Sequence, residues 1–557
     1  MPRRCVRCVV LVSAIAVCAL PILVRASASA PIADAAMRQN RAAVRALLQQ
    51  GADVNAAQGD GMTALHWAAV NGDAELAATL VSAGANVAAT TRIDGQTAMH
   101  LAAAFGRAEA LGVLLTAGAD ANTATGTGTT ALMLASASGN LDSVKLLVAH
   151  GANVNVREAA KWHTALMFAA AANHADIVTV LLENGADATA TTRVFDLTRA
   201  EMPVDRTLQN YALTLVQRQA AEARGEKRPD TAGVDRPYEY NELVAAQGGL
   251  TALHFAARQG HADSVKALLA GGVDVNLVSG GVEVTPLAIA TINGHFDLAM
   301  YLLDRGANPN LVAENGVAPL YAVLNCQWSP LAEYPAPQAY QQQTTSYLEL
   351  LTALLKKGAD PNIRLKKKVW YSGFSRDNSG LDEIGATAFW RAAYANDVEA
   401  MRILVAHGAD PNIPTIAERA QRAAAGLPSL AIGAPGQTPL HAAAGAGYLQ
   451  DYAGNGHRIH PAGWLPAVKY LVEELGADVN ARDHEGNTAA HYAAARGDDE
   501  MLLYLVSRGA DVTVVNRRGQ TTIDAANGPR QRVQPFPATI DLLERLGAKN
   551  NHKCVSC

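Results

Sequence analysis

The sequence predicts an all-α solenoid of short repeats, on three observations that recur along the chain. The segment Asp60–Ala69 reads D-G-M-T-A-L-H-W-A-A, and Asp94–Ala103 reads D-G-Q-T-A-M-H-L-A-A. A Gly-Ala-Asp or Gly-Ala-Asn tripeptide closes most units, and its glycine returns every 33 or 34 residues at positions 51, 84, 118, 151 and 185. Leucine pairs, as at 114–115, precede many of these glycines. This period indicates helical units that bury their apolar faces against one another.

Each element of the unit follows from its residues. Thr63 precedes an apolar run and can cap a first helix by accepting a backbone N–H, and proline follows threonine at 286 and 439, where the first helical turn needs no donor. The leucine pairs form the apolar face of a second helix. Glycines such as Gly84 end that helix, because a left-handed residue has little steric cost there. The unit therefore consists of a connecting loop, called the finger, followed by a helix, a turn and a second helix.

A unit of about 33 residues with T-x-L-H-x-A-A and a closing G-A-D-x-N resembles the ankyrin repeat, and the resemblance covers nearly everything after the N-terminal leader. It implies an all-α ankyrin-repeat solenoid of about twelve helix-turn-helix repeats with β-hairpin fingers. It also implies that the T-x-L-H histidines bond the backbone of the fingers. The resemblance implies a recognition scaffold, and it does not identify the partner.

The first 28 residues read as an export signal. Arg3, Arg4 and Arg7 form a basic start, residues 8–24 an apolar run, and Ala26-Ser27-Ala28 a small-residue cleavage site. A retained membrane anchor is the alternative, although Pro21 interrupts a run that is short for a span. We expect an exported bacterial protein, periplasmic or secreted, with no other membrane association. Loss of the leader's four arginines lowers the net charge from −5 to −9, which argues against nucleic-acid binding.

Glycine spacing sets the expected domain boundaries. Gly272 follows Gly185 by 87 residues, so an insertion separates two blocks of repeats. Helical spacing of Leu208, Tyr211 and Leu215 predicts one helix there. Further insertions are expected within fingers at 362–385 and 412–436, and between the helices of a repeat at 329–345, 449–463 and 529–537. The expected domains are 1–28 (signal peptide), 31–188 (N-terminal cap and regular repeats), 189–247 (insertion with one helix and linker), 248–549 (repeats with inserted loops) and 550–557 (tail).

The best candidate for partner binding is a basic and aromatic stretch in the finger insertion at 362–385. It contains three lysines and three aromatic residues, and two tryptophans are its expected neighbours: Lys366, Lys367, Lys368, Trp370, Tyr371 and Phe374, with Trp328 and Trp390. Aromatic anchors dominate binding energies at protein interfaces. The structural alternative is that these aromatic residues pack the long loop onto its own repeat.

Three cysteines remain after the leader, which is too few for a disulfide framework. Cys554 and Cys557 form a C-x-x-C tail that would close as a local disulfide in an oxidising compartment or stay unpaired. A haem-attachment motif would need a histidine after Cys557, where the sequence stops.

The repeated histidines occupy structural positions, and His457 and His460 lack further ligands, so no metal site is expected. No phosphate-binding loop and no nucleophile–base–acid set is found, so no cofactor and no enzymatic activity are expected. The favoured function is a monomeric scaffold that binds a protein through its concave face and the loops of its C-terminal half. The alternatives are a redox-associated protein whose tail binds metal or haem or exchanges disulfides, and an inhibitor or effector of a target enzyme.

Overall fold

The computed structural model describes residues 30–197, 232, 238, 240–329, 339–369, 381, 383–424, 426–447, 458–528 and 534–553. These residues form two compact units. The first contains the described residues up to Ala131 together with Ala149–Gly151, and the second contains Leu132–Val148 and the described residues from Ala152 onward. The described candidate binding residues lie in the second unit.

Both units are all-α and are built from pairs of short helices, which confirms the predicted fold class. The described residues contain twelve pairs, in agreement with the predicted number of repeats. In chain order, repeats 1 to 12 are Pro31–Met37 and Arg41–Gln49; Ala64–Asn71 and Ala74–Ser82; Ala98–Ala104 and Ala108–Thr116; Ala131–Ser138 and Leu141–Ala149; Ala165–Ala171 and Ala175–Glu183; Ala252–Gln259 and Ala262–Ala270; Pro286–Ile292 and Phe296–Asp304; Pro319–Gln327 and Tyr347–Lys356; Ala388–Tyr394 and Val398–Ala406; Pro439–Ala443 and Trp464–Lys469; Ala489–Ala495 and Asp499–Ser507; Thr522–Ala526 and Pro537–Arg545. A π-helical turn, Tyr470–Glu474, extends repeat 10.

The threonine–histidine pair begins the first helix in several repeats, as expected from T-x-L-H. In repeat 6, the Nδ1 atom of His254 accepts from the backbone N–H of Thr251 at 3.3 Å, and its Nε2 atom bonds the carbonyl oxygen of Val284 at 2.9 Å. In repeat 3, the Nε2 atom of His100 makes the corresponding bond to the carbonyl oxygen of Thr123 at 3.0 Å. The imidazole therefore caps its own helix and also holds the finger that follows.

An asparagine in the closing G-A-D-x-N segment keeps neighbouring repeats in register even where long insertions separate them. The side-chain amide of Asn310 donates to the carbonyl oxygen of Gly358 at 2.8 Å, and its oxygen accepts from the N–H of Asp360 at 2.7 Å. Asn362 bonds Gly408 and Asp410 in the same way. The loops inserted in repeats 8 and 9 therefore leave the stacking of those repeats unchanged.

The fingers are mostly hairpin turns closed by a few backbone bonds rather than by extended ladders. Ser279 and Val284, for example, are joined by one N–H···O bond of 3.0 Å. Successive fingers are also joined to each other, as where the N–H of Gly280 donates to the carbonyl of Gly249 at 2.9 Å. The described strand pair, Phe195–Asp196 with Ala246–Gln247, closes the base of the 189–247 insertion.

The 189–247 insertion loops out between repeats 5 and 6, and those repeats still pack on each other. His261 Nδ1 lies 3.3 Å from the carbonyl oxygen of Ala170, and the N–H of Ser264 donates to the side chain of Asn173 at 3.2 Å. A short helix, Tyr240–Val244, precedes the return strand. The helix predicted around Leu208 lies outside the described residues.

The 412–436 insertion folds as an elongated finger that lies over the fingers of later repeats. Backbone bridges join Ile416 to Pro435 and Gln421 to Leu430. The guanidinium of Arg517 donates to the carbonyl oxygen of Pro428 at 2.6 Å. This insertion is therefore docked on its neighbours along much of its length.

Candidate protein-binding surface

The predicted lysine segment is partly built into the fold. The side chain of Lys367 is largely buried, and its ammonium group donates to the Glu314 carboxylate and, at 3.2 Å, to the carbonyl oxygen of Glu242. The same ammonium lies 5.2 Å from the centre of the Tyr238 ring. Lys367 therefore ties the finger before repeat 9 to the end of the 189–247 insertion, whereas Lys366 is exposed.

The rest of that segment lies partly beyond the described residues. Lys368 is partly exposed. Trp370, Tyr371 and Phe374 lie outside the described residues, so binding by these three aromatic residues stays a prediction.

Trp328 and Trp390 are packed inside the second unit, so neither indole lies at the surface. Trp328 is 7% exposed, and its Nε1 donates to the Asp397 carboxylate at 2.9 Å. Trp390 is 0% exposed, and its Nε1 donates to the carbonyl oxygen of Gln437 at 3.0 Å. The Trp390 ring also stacks on Tyr394, with centroids 5.6 Å apart. Both indoles have internal partners, so the structure corrects their expected place beside an exposed binding segment.

The described chain contains one cysteine, and it lies inside the fold. Cys326 is a buried free thiol, and burial raises the pKa of this thiol to about 12. Among the described residues, no three His, Cys, Asp or Glu side chains are grouped as a metal ion would require. Cys554 and Cys557 lie outside the described residues, so the disulfide between them stays a prediction. In the described ranges, no helix has the length and hydropathy needed to cross a bilayer.

Trp162 is the exposed tryptophan of the described chain, and it occupies a position that glycine takes in most other repeats. This position lies two residues before the threonine of T-x-L-H. Eight fingers have a glycine with positive φ there: Gly61, Gly95, Gly128, Gly249, Gly316, Gly385, Gly486 and Gly519. Trp162 adopts the same left-handed conformation, with a φ of 65°, and is 43% exposed. A bulky L-residue in this conformation costs about 1–2 kcal/mol, so folding alone would favour glycine.

A buried carboxylate fixes the backbone on both sides of Trp162. The Glu158 side chain accepts from the N–H groups of Ala160 at 2.7 Å, Lys161 at 2.7 Å and His163 at 3.1 Å. The N–H of Trp162 donates to the carbonyl of Glu158 at 3.1 Å. Burial opposes ionisation of this carboxyl, but the three N–H donors outweigh it and lower the pKa of Glu158. The indole is therefore held on a turn whose backbone donors are satisfied within the turn.

The rings of His163, Phe168 and Phe255 pack together at the base of this finger. The His163 imidazole lies 5.6 Å from the ring centre of Phe168 and 5.6 Å from that of Phe255, and its Nδ1 is 3.0 Å from the Glu158 carboxylate. Burial lowers the pKa of His163, so the imidazole is uncharged at neutral pH. Phe168 belongs to repeat 5 and Phe255 to repeat 6, so the finger rests on both repeats.

A second exposed aromatic side chain stands on the next finger. The N–H of Arg193 donates to the carbonyl oxygen of Lys161 at 2.8 Å, which joins the two fingers. The Arg193 guanidinium lies 5.2 Å from the centre of the Phe195 ring, and Phe195 is 40% exposed. Lys161 and Arg193 are exposed as well. We call Lys161, Trp162, Arg193 and Phe195 the Trp162 surface.

Sequence reasoning missed the Trp162 surface, although a signal was available. Composition favours the stretch richest in lysine and aromatic residues, which begins at Lys366. The signal for Trp162 is positional, since it occupies the glycine position of its finger. Glu283, with a φ of 54°, is the other non-glycine residue with positive φ at this position in the described chain.

Family models match the chain along much of its length. A model for ankyrin repeats in three copies matches residues 32–125, 99–192 and 232–321. A model for many copies matches residues 457–506, and a single-repeat model matches 384–416. Together these matches cover more than half of the chain.

The chain is also similar to parts of larger proteins. It is 26% identical over 323 residues to the E3 ubiquitin-protein ligase KEG of Arabidopsis thaliana, covering 55% of this chain and 17% of that protein. It is 34% identical over 119 residues to the protein fem-1 homolog A of Danio rerio, covering 20% of this chain and 18% of the relative. Over 92 residues it is 35% identical to protein phosphatase 1 regulatory subunit 12A of Mus musculus, covering 16% of this chain and 7% of the relative.

The chain thus spans less than a fifth of each of these relatives, and the similarity concerns the repeats. Ankyrin repeats form protein-interaction scaffolds, and the twelve described helix pairs, five of which begin with a capping histidine, have that construction. The chain belongs to the ankyrin repeat family.

Proposed function

We propose that this chain is an exported scaffold that recognises another protein and performs no chemistry of its own. Its repeats support a role in protein interaction, and the exposed Trp162 indole on a fixed, left-handed turn is the observation that carries the proposal. The contact region would comprise the Trp162 surface and the finger insertion that begins near Lys366. The whole region belongs to the second unit.

Trp162 supports the proposal because its conformation and its exposure both oppose folding stability. The left-handed backbone is strained for a bulky residue. A 43% exposed indole recovers only part of the free energy that full burial would give. Exposed aromatic side chains held by a rigid scaffold are typical anchors of protein interfaces, each contributing about 2 kcal/mol or more.

The substitution Trp162→Gly is expected to separate binding from folding. Glycine suits a φ of 65°, so the free energy of unfolding should stay the same or rise by about 1 kcal/mol. Loss of the indole should weaken partner binding about tenfold or more. Urea denaturation measures the first quantity. Quantitative pull-down from periplasmic extract with the purified full chain measures the second.

Glu283→Gly is the matched control, because it relieves the same backbone conformation on a nearby finger without removing an aromatic side chain. It should leave recovery of the partner unchanged. Equal recovery with wild type and Trp162→Gly would show that Trp162 is not part of the binding site.

Deletion of residues 366–374 tests the second part of the contact region. Because the deletion also removes the contacts of Lys367 with Glu314 and Glu242, we expect a modest loss of stability, a retained fold and a fall in partner recovery. A deletion that lowers the thermal midpoint of the second unit by many degrees would assign this segment to packing instead. Substituting Lys367 alone with alanine separates the loss of its contacts with Glu314 and Glu242 from the loss of the aromatic residues.

The basic and apolar character of the first 28 residues supports export, which has its own test. We expect the protein recovered from the periplasm or medium to begin at Ser29, as read by N-terminal sequencing. Recovery of the chain with its leader in the membrane fraction would support a retained anchor.

A further inference from the structure

We propose that the Trp162 surface binds an acidic, extended peptide segment that carries an apolar side chain next to its carboxylates. This inference rests on the proposed function and specifies the chemistry of the partner. Two exposed aromatic side chains, Trp162 and Phe195, and two exposed cations, Lys161 and Arg193, lie on two fingers joined by a 2.8 Å backbone bond. A single short segment can therefore contact both fingers.

The charges of the Trp162 surface favour a carboxylate. In the part of the chain that the structure describes, neither Lys161 nor Arg193 forms an ion pair. The carboxylate within the Trp162 finger, Glu158, is buried and already accepts three backbone N–H bonds. Asp196 follows Phe195 on a strand, where successive side chains point to opposite faces, so it lies on the face opposite Arg193 and Phe195. The face that carries Arg193 and Phe195 is therefore cationic.

The geometry of Arg193 favours a carboxylate more than a bulky anion. Its guanidinium is held near the Phe195 ring, 5.2 Å from the ring centre. A guanidinium stacked on a ring keeps its N–H edge available and presents a planar fork that matches a carboxylate. Arg258 adds a partly exposed cation on the first helix of repeat 6, 5.1 Å from the centre of the Phe255 ring that contacts His163. A peptide with two or three carboxylates could follow these positions.

A nucleic acid is the competing ligand for a surface that combines cations with aromatic side chains. The chain has a formal net charge of −5, so its overall field does not favour a phosphate backbone. Two exposed cations would release few counterions. Their contribution to nucleic-acid affinity is therefore small compared with that of a protein that makes six to ten phosphate contacts. Preferential binding of a nucleic acid at this surface would therefore overturn the proposal.

Peptide selection on the intact protein tests the proposal without knowledge of the natural partner. A phage-displayed library of random twelve-residue peptides is panned on the immobilised full chain. We expect the selected peptides to be enriched in Asp and Glu beside an aromatic or aliphatic residue. A selected peptide, labelled with fluorescein, is then titrated by fluorescence anisotropy. Its affinity should fall several-fold between 50 and 300 mM salt, because the contacts are charged.

Three variants locate the binding. Trp162→Gly should weaken the peptide at least tenfold, and Glu283→Gly should change its affinity less than twofold. The double variant Lys161→Glu, Arg193→Glu should lose the acidic peptide and gain affinity for the same peptide with its acidic residues replaced by lysine. Thermal melts establish that all three variants are folded.

Several results would overturn the proposal. In the selection, these are basic or uncharged motifs, or no enriched motif at all. In the titration, they are an unchanged affinity for Trp162→Gly, or displacement of the peptide by a single-stranded oligonucleotide at a lower concentration than by an acidic competitor. Partner capture that depends on Trp162, found together with a basic peptide motif, would reject the acidic segment and leave the proposed function intact. Partner capture that is independent of Trp162 would reject the acidic-segment proposal and would remove Trp162 from the contact region of the proposed function.

Discussion

Lowering the pH from 7 to 4.5 is expected to destabilise the repeats by several kcal/mol. Five repeats begin their first helix with an uncharged imidazole that accepts from the threonine N–H: His66, His100, His254, His441 and His491. Burial lowers the pKa of all five, and it lowers the pKa of His254 and of His491 to about 4. Protonation removes the Nδ1 acceptor and places a charge in an apolar site.

The direction of the effect follows from proton binding. An unfolded histidine has a pKa near 6.5, so between pH 6.5 and about 4 the unfolded chain binds protons that the folded chain does not. The stabilising contribution is complete above pH 6.5 and is lost as the pH falls toward 4. A shift from 6.5 to about 4 corresponds to on the order of 3 kcal/mol for His254, and similarly for His491.

Thermal midpoints at pH 7.5, 6, 5 and 4.5 measure this loss of stability. Protonation of the carboxylates causes its own loss of stability mainly at lower pH. Although burial raises the pKa of Asp297, bonds from Thr345 and Thr344 lower it to about 2, so this group stays ionised throughout the window. As a control, His254→Gln with His491→Gln should be less stable at pH 7.5 and should depend less on pH. Equal midpoints for the wild type at pH 7.5 and 5 would contradict the assignment of these imidazoles as uncharged caps.

Trp390→Ala is expected to lower the free energy of unfolding by about 3–5 kcal/mol. Trp390 is among the largest fully buried side chains, it stacks on Tyr394, and its Nε1 donates to Gln437 in the finger before repeat 10. Alanine would leave a cavity between repeats 9 and 10 and would remove one of the hydrogen bonds to the Gln437 carbonyl oxygen, which also accepts from the N–H of Thr415. Urea denaturation of the second unit, followed by circular dichroism, measures the loss.

Trp162→Gly is the matched control, because it also removes one tryptophan but from an exposed, left-handed position. The two substitutions should have opposite profiles, with Trp390→Ala affecting stability and Trp162→Gly affecting binding. If Trp390→Ala kept its stability within about 1 kcal/mol and lost the partner, Trp390 would belong to the binding surface after all.

Much of the fold depends on contacts between residues that are close in the sequence. Thr251, His254 and the glycine that ends the second helix act within one repeat or on the next finger, so their recurrence predicts the helices, the caps and the repeat number. The sites of insertion were also predictable from glycine spacing. The strand pair at Phe195 and Ala246 was not, because two residues of strand give no periodic signal.

The candidate site was predicted less well, because composition does not report burial. Trp328 and Trp390 resemble surface anchors in the sequence, yet Asp397 and Gln437 bind their Nε1 atoms inside the fold. These partners are 69 and 47 residues away and come from other repeats. Lys367 was likewise expected at a surface and instead bonds an insertion that ends more than a hundred residues earlier.

By itself, then, the sequence determined the family, the repeat architecture and the structural role of the T-x-L-H histidines, because these depend on contacts within one or two repeats. Tertiary structure alone decided which aromatic side chains stay exposed. That outcome depends on how insertions fold back on distant fingers and on which backbone positions have positive φ. Trp162 remains at the surface because it lies on a short finger whose turn is closed by Glu158, whereas Trp390 lies where two repeats pack together.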